Sequence, residues 1–89
     1  MVEAKDFYFS KPFLGEMGEL CVVITAKRIY DQEKRHDDGS SPEYQQLESL
    51  LPEGIYEVME STFEAEEGTT ADQLEKLLKN NGFIFNPNL

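Results

Sequence analysis

The sequence predicts an α+β fold: a two-layer sandwich of about four strands, mixed or antiparallel, with two helices, in the order β-β-α-β-α-β. Three observations predict it. Leu20–Ala26, LCVVITA, is rich in β-branched residues and apolar on both alternating faces, which marks a central strand. Thr70–Gly82 opens on a capping pattern and carries leucines at helical spacing. Turn residues divide the remaining sequence into short apolar runs. With 89 residues, the chain predicts one globular domain, 1–89, around one modest core.

Asp6–Ser10 alternates Phe7 and Phe9 against Tyr8 and reads as a strand. Pro12 has no N–H to give to a ladder, so this is an edge strand or the strand stops there. Gly15–Gly18 is a turn signal, and the simplest reading is an antiparallel hairpin between about residues 6–13 and 19–28. Leu20, Val22, Ile24 and Ala26 share one face of the central strand; Cys21, Val23 and Thr25 share the other. The full stretch Glu19–Tyr30 would span ~40 Å, about twice a typical strand. The ordered centre is therefore Leu20–Ala26, and Lys27 onward is expected to leave the sheet.

Residues 31–41, DQEKRHDDGSS, are polar and read as the longest and most mobile loop. Ser41-Pro42-Glu43 suits a helix start, with Tyr44, Leu47 and Leu51 at i, i+3 and i+7, and Pro52 and Gly54 at the end. Gly54–Ala65 is expected as a second long strand, because Tyr56, Val58, Thr62 and Phe63 outweigh the helix-favouring glutamates. Thr70-Ala71-Asp72-Gln73 forms a capping box, followed by a stripe of Ala71, Leu74, Leu77 and Leu78 and an Asn81-Gly82 stop. Phe83–Phe85 is a short last strand. The two helix-containing connections are compatible with right-handed crossovers between parallel neighbours.

Charge is the most unusual bulk property: 18 acidic against 8 basic residues, a formal net charge of −10. Residues 1–42 hold 8 acids and 6 bases, net −2, whereas residues 43–89 hold 10 acids and 2 bases, net −8. A field of this sign repels nucleic acid and anionic lipid and attracts basic protein surfaces or divalent cations. The single cysteine excludes an internal disulfide, and no Cys/His cluster suggests zinc. No signal-peptide pattern and no apolar run near 18 residues is present, so a cytoplasmic protein with no membrane association is expected.

No GxGxxG, P-loop or HExxH motif occurs, and no cofactor or metal is predicted. Cys21 reads as a small buried hydrophobe. His36, the only histidine, sits in a solvated Lys34–Asp38 run and would need Cys21 or Ser40 beside it for nucleophilic chemistry. Ser40 and Ser41 are better explained as helix caps. Aligning Gly39 with the sixth position of a calcium loop puts Lys34 at the first and Gln45 at the twelfth, so that pattern fails. Lys27-Arg28 and Lys34-Arg35 make a small basic island offset by Asp31, Glu33, Asp37 and Asp38.

The densest acidic run is Glu57, Glu60, Glu64, Glu66, Glu67, Asp72 and Glu75. On one continuous strand Glu60 and Glu64 would share a face that Glu57 opposes. The structural reading is a solvated face whose charges discourage edge pairing. The functional reading is a partner-binding surface that imitates a phosphate backbone and fills a basic groove. In size and acidity the chain resembles the small accessory or inhibitor proteins common in phage and mobile elements, a likeness of bulk properties that no motif carries.

The functional expectation is a small acidic, non-enzymatic protein-interaction module, an inhibitor or accessory protein docking on a basic partner. The alternative is a small enzyme or ligand-binding subunit with a pocket between helices and sheet. A homodimer through a sheet edge or the second sheet face is the third.

Overall fold

The computed structural model describes residues 1–89 and shows an α+β fold built on one mixed sheet. The strands are β1 (Phe7–Phe9), β2 (Phe13–Leu14), β3 (Leu20–Ala26), β4 (Ile55–Met59), β5 (Thr62–Ala65) and β6 (Ile84–Phe85). Helix α1 spans Lys27–Glu33 and α2 spans Ala71–Asn80; 3-10 helices cover Ala4–Asp6 and Tyr44–Leu50. The sheet order is β4-β5-β3-β1-β6, with β2 also on β3.

The central strand is where the two-sided pattern places it. Its Leu20–Ala26 core takes β1 and β2 on one side and β5 on the other, all antiparallel. The expected hairpin forms, but the break at Ser10–Pro12 splits its first arm into β1 and β2. Ser10 continues the contact locally: its N–H donates to the Val23 carbonyl and its Oγ accepts from Val23 N–H. A Cβ at position 15 would lie 2.5 Å from the carboxyl carbon of Glu19, so any larger residue there would displace that flexible side chain. That carboxylate accepts the Met17 N–H within the same turn.

Four expectations are corrected. The sheet has six short strands rather than about four; of the two readings of the first strand, the stop before Pro12 holds, and β1 is flanked rather than at an edge, since β6 pairs with it in parallel at Tyr8↔Ile84 and Phe9↔Phe85. Gly54–Ala65 is a hairpin, not one strand: β4 folds back on β5 through Glu60 and Ser61. The first part of the expected polar loop is helical, because α1 follows β3 with no intervening residue and stops at Lys34 in a left-handed conformation, φ 54°. The Ser41–Leu51 helix is of the 3-10 type. Tyr44, Leu47 and Leu50 recur every three residues, which aligns one face at three residues per turn. Ser41 still caps it, its Oγ accepting the Tyr44 N–H.

The strand directions make β3 and β4 parallel to each other, and likewise β5 and β6. Both helix-containing connections are therefore crossovers, but each passes intervening strands. The one hydrogen-bonded parallel pair is β1 with β6.

One face of the sheet carries the core. Phe7, Phe9, Val22, Ile24 and Phe63 pack beneath Leu47 of the 3-10 helix and Leu74 and Leu78 of α2. Helix α2 has its expected reciprocal cap: Thr70 Oγ1 accepts Gln73 N–H and Gln73 Oε1 accepts Thr70 N–H. Fully burying each large apolar side chain contributes about 1.5–3 kcal/mol. Helix α1 reaches round the end of the sheet. Ile29 packs against the core, while Tyr30 meets Tyr8 edge-on, centroids 5.6 Å apart, on the second face.

Candidate functional site

Three places gather chemistry-bearing side chains. The first is a buried polar hub at Asp37. Its N–H donates to Thr25 Oγ1 (2.6 Å), its Oδ1 accepts Gly39 N–H (2.9 Å), and its Oδ2 accepts Ser41 Oγ (2.5 Å). Its carbonyl accepts the Ser61 hydroxyl. Asp37, Thr25, Ser41 and Ser61 are all buried, and no buried side-chain polar atom lacks a partner. Ser61 has φ 65°, a left-handed conformation that its three bonds hold in place: Oγ to Asp37, N–H to the Tyr44 hydroxyl, and its carbonyl to Ile24 N–H. The hub anchors the 34–41 segment to β3 and the β4–β5 turn, so this polar stretch is tied down where sequence composition suggested mobility. Its hydroxyls are committed to carboxylate and backbone, with no imidazole among them. His36 beside it is exposed, and Ser40 Oγ donates to Asp38 rather than to histidine.

The second is an open groove of about 800 Å³ between the 3-10 helix and β4. Tyr44, Leu47, Leu51, Ile55 and Glu57 line it. The Tyr44 hydroxyl donates to Glu57 and accepts the Ser61 N–H (2.6 Å). Burial, then the bond to Glu57, push the Tyr44 phenol far above its ordinary value. This places a neutral tyrosine and a carboxylate on one wall.

The third is the acidic set read from the sequence, which the hairpin distributes over several surfaces. Glu57 lies on β4 opposite Phe63, and Glu64 on β5 opposite Cys21, so their side chains take opposite faces. Glu60 sits in the β4–β5 turn, near Gly39; the expected shared face with Glu64 is replaced by this turn. Glu64, Glu66 and Glu67 gather with Glu19 around one depression beside the β2–β3 turn. Asp72 and Glu75 lie on α2.

Glu75 is the one member with a basic partner, Lys79 at 3.9 Å. The other ion pairs draw on Glu3, Asp31, Glu43 and Glu33. The strongest is Arg28–Glu43, bidentate at 2.6 and 2.9 Å. The Arg28 guanidinium holds the Glu43 carboxyl below its ordinary range. Lys27 and Arg35 pair with Asp31 and Glu33, so much of the basic island is neutralised locally. No three acidic, histidine or cysteine side chains converge as a metal site.

Sequence reasoning read the apolar second face on the central strand but missed how far it extends across the sheet. The register aligns Phe13, Cys21, Glu64 and Tyr56 in one row across β2, β3, β5 and β4. Val23, Thr62 and Met59 form the next row. Phe13 (41%), Tyr56 (52%) and Met59 (66%) are exposed, and Val23, Thr62 and Glu64 are half-buried. Cys21 is buried within this face, with Sγ 3.8 Å from the Glu19 carbonyl. The apolar second face of β3 was legible; its extension over β4 and β2 depended on strand order.

No protein-family model matches the chain, and neither curated proteins nor solved structures give a match. No helix is long and apolar enough to cross a membrane.

Proposed function

We propose that this protein is a non-enzymatic interaction module that docks an acidic surface on a basic surface of a partner protein, as an inhibitor or accessory protein. One observation carries the reading. Glu57, Glu60, Glu64, Glu66, Glu67 and Asp72 have no basic side chain within 4 Å, while five of the eight bases are engaged with other acids or with Glu75. Apart from Glu43 and Glu75, the negative charge of the second half thus lacks a basic partner within the chain. A groove built for nucleic acid is the class of basic surface that such a field would occupy, by imitation of a phosphate backbone.

Binding to an immobilised basic nucleic-acid-binding protein, measured at about 50 and 300 mM salt, tests the reading. The expected result is a loss of about ten-fold or more at the higher salt, and a similar loss for the double variant Glu60→Lys, Glu64→Lys. Binding that ionic strength and charge reversal both leave unchanged would count against it.

The groove between the 3-10 helix and β4 favours a second reading, a ligand-binding subunit, since its volume of about 800 Å³ is that of a small-molecule site. A fragment screen by NMR that shifts Leu47, Leu51 and Ile55 would support it.

A further inference from the structure

We infer that the open sheet face is the centre of the docking surface, and that its occupant is a partner segment that brings an arginine or lysine to Glu64 between Phe13 and Tyr56. This inference rests on the acidic-surface reading and assigns its contact point. Phe13, Cys21, Glu64 and Tyr56 form one continuous row across four strands, about 14 Å from end to end at the usual strand spacing. Glu64 is the only charge in that row. It is half-buried, and neither a base nor a hydrogen-bond donor reaches it within the chain. A cation entering there meets a partly desolvated carboxylate, with the Tyr56 ring on one side and, on the other, Phe13 one strand beyond Cys21, to cover its methylenes or guanidinium plane.

The rest of the face suits the same occupant. Val23, Thr62 and Met59 offer an uncharged, mostly apolar row beside the acidic one. The nearby depression adds Glu19, Glu66 and Glu67, which extend the negative field past the end of β5. Charge also selects against a second copy of this chain. A symmetric contact centred on this face would bring each Glu64 against the same acid-bearing surface, in molecules of net charge −10.

The test uses the full chain and a synthetic peptide of alternating arginine and valine, with an alternating glutamate–valine peptide as control. Amide shifts and affinity are followed by NMR titration at low and high salt. The expected shifts centre on Cys21, Val23, Thr62 and Glu64. Glu64→Gln and Tyr56→Ala should each weaken binding about five-fold or more, while Glu48→Gln, an exposed acid of the 3-10 helix outside the docking set, changes it less than about two-fold. Circular dichroism melts confirm that each variant is folded.

Shifts centred on α2, or equal losses from Glu64→Gln and Glu48→Gln, would overturn this contact point and leave the acidic-surface reading standing. Binding on this face that neither salt nor Glu64→Gln weakens would overturn the charge reading and the role of Glu64 together. The absence of any shift with millimolar peptide would overturn both. Shifts of the same amides with protein concentration alone, matched by dimerisation in light scattering, would replace the basic partner with a second copy.

Discussion

The backbone N–H of Asp37 donates to the hydroxyl of Thr25, 2.6 Å away, at a point where both residues are buried. This bond ties the polar 34–41 segment to the middle of the sheet. Thr25→Val keeps the shape and removes the acceptor, leaving the Asp37 N–H without a partner. Urea unfolding should show a loss of about 1–3 kcal/mol. Thr25→Ser, which keeps the hydroxyl, should recover most of it.

Tyr44 should act as the second tether. Its hydroxyl accepts the N–H of Ser61 and donates to Glu57. Tyr44→Phe strands a buried N–H at a turn already held at positive φ, at an expected cost of about 1–3 kcal/mol in chemical denaturation. Glu57→Gln, which still accepts a bond, should cost less. A variant ranking in the opposite order would show that the carboxylate, not the Ser61 N–H, is the partner that matters.

The Arg28–Glu43 pair predicts a pH dependence with a definite sign. The folded-state carboxyl lies below its ordinary value of 4.5, with the bond to Arg28 as the largest cause. Its stabilisation is complete above that value and is lost as the pH falls below it toward the depressed folded value. Glu43→Gln should therefore be less stable than the parent at pH 7, the difference closing in strongly acid solution. Unfolding midpoints across pH 2–7 measure it.

The Cys21 thiol should be slow to alkylate in the folded protein at pH 8. Burial, then the nearby Glu19 and Glu64 carboxylates, push it above its ordinary value of 9.0. Phe13→Ala should speed alkylation by uncovering the row that the two residues share, and Glu64→Gln should speed it by removing a like charge. Alkylation as fast as in urea would contradict the burial of this residue.

Strong local signals in the sequence survived into the structure. The two-sided apolar run gave β3, and the reciprocal Thr70–Gln73 cap gave α2, because the pattern that marks each lies entirely within its own segment. What stayed illegible depended on long-range partners. Ser61 turns the β4–β5 hairpin in a conformation that glycine usually takes, and it does so because Asp37, Tyr44 and Ile24 all hold it. No turn residue advertised that hairpin, so Glu60 and Glu64 read as companions on one strand. Helix α1 starts from Ala26 without any side-chain cap, and so left no mark of its beginning. The acidic residues of the candidate surface were visible individually; their separation into a sheet face, a turn and a helix followed from the hairpin.

The parallel pairing of β1 with β6 joins residues 7–9 to residues 84–85. As the chain is synthesised, Phe7 and Phe9 emerge early, and the strand that completes their sheet emerges almost 80 residues later. Until then one flank of β1 is an unprotected template for another nascent chain. The closing step spans nearly the whole sequence, so assembly should be slower than the chain's small size alone would suggest. Chaperone demand and aggregation during expression would then concentrate in the interval before β6 arrives, and truncations that remove Ile84 and Phe85 would prolong it indefinitely.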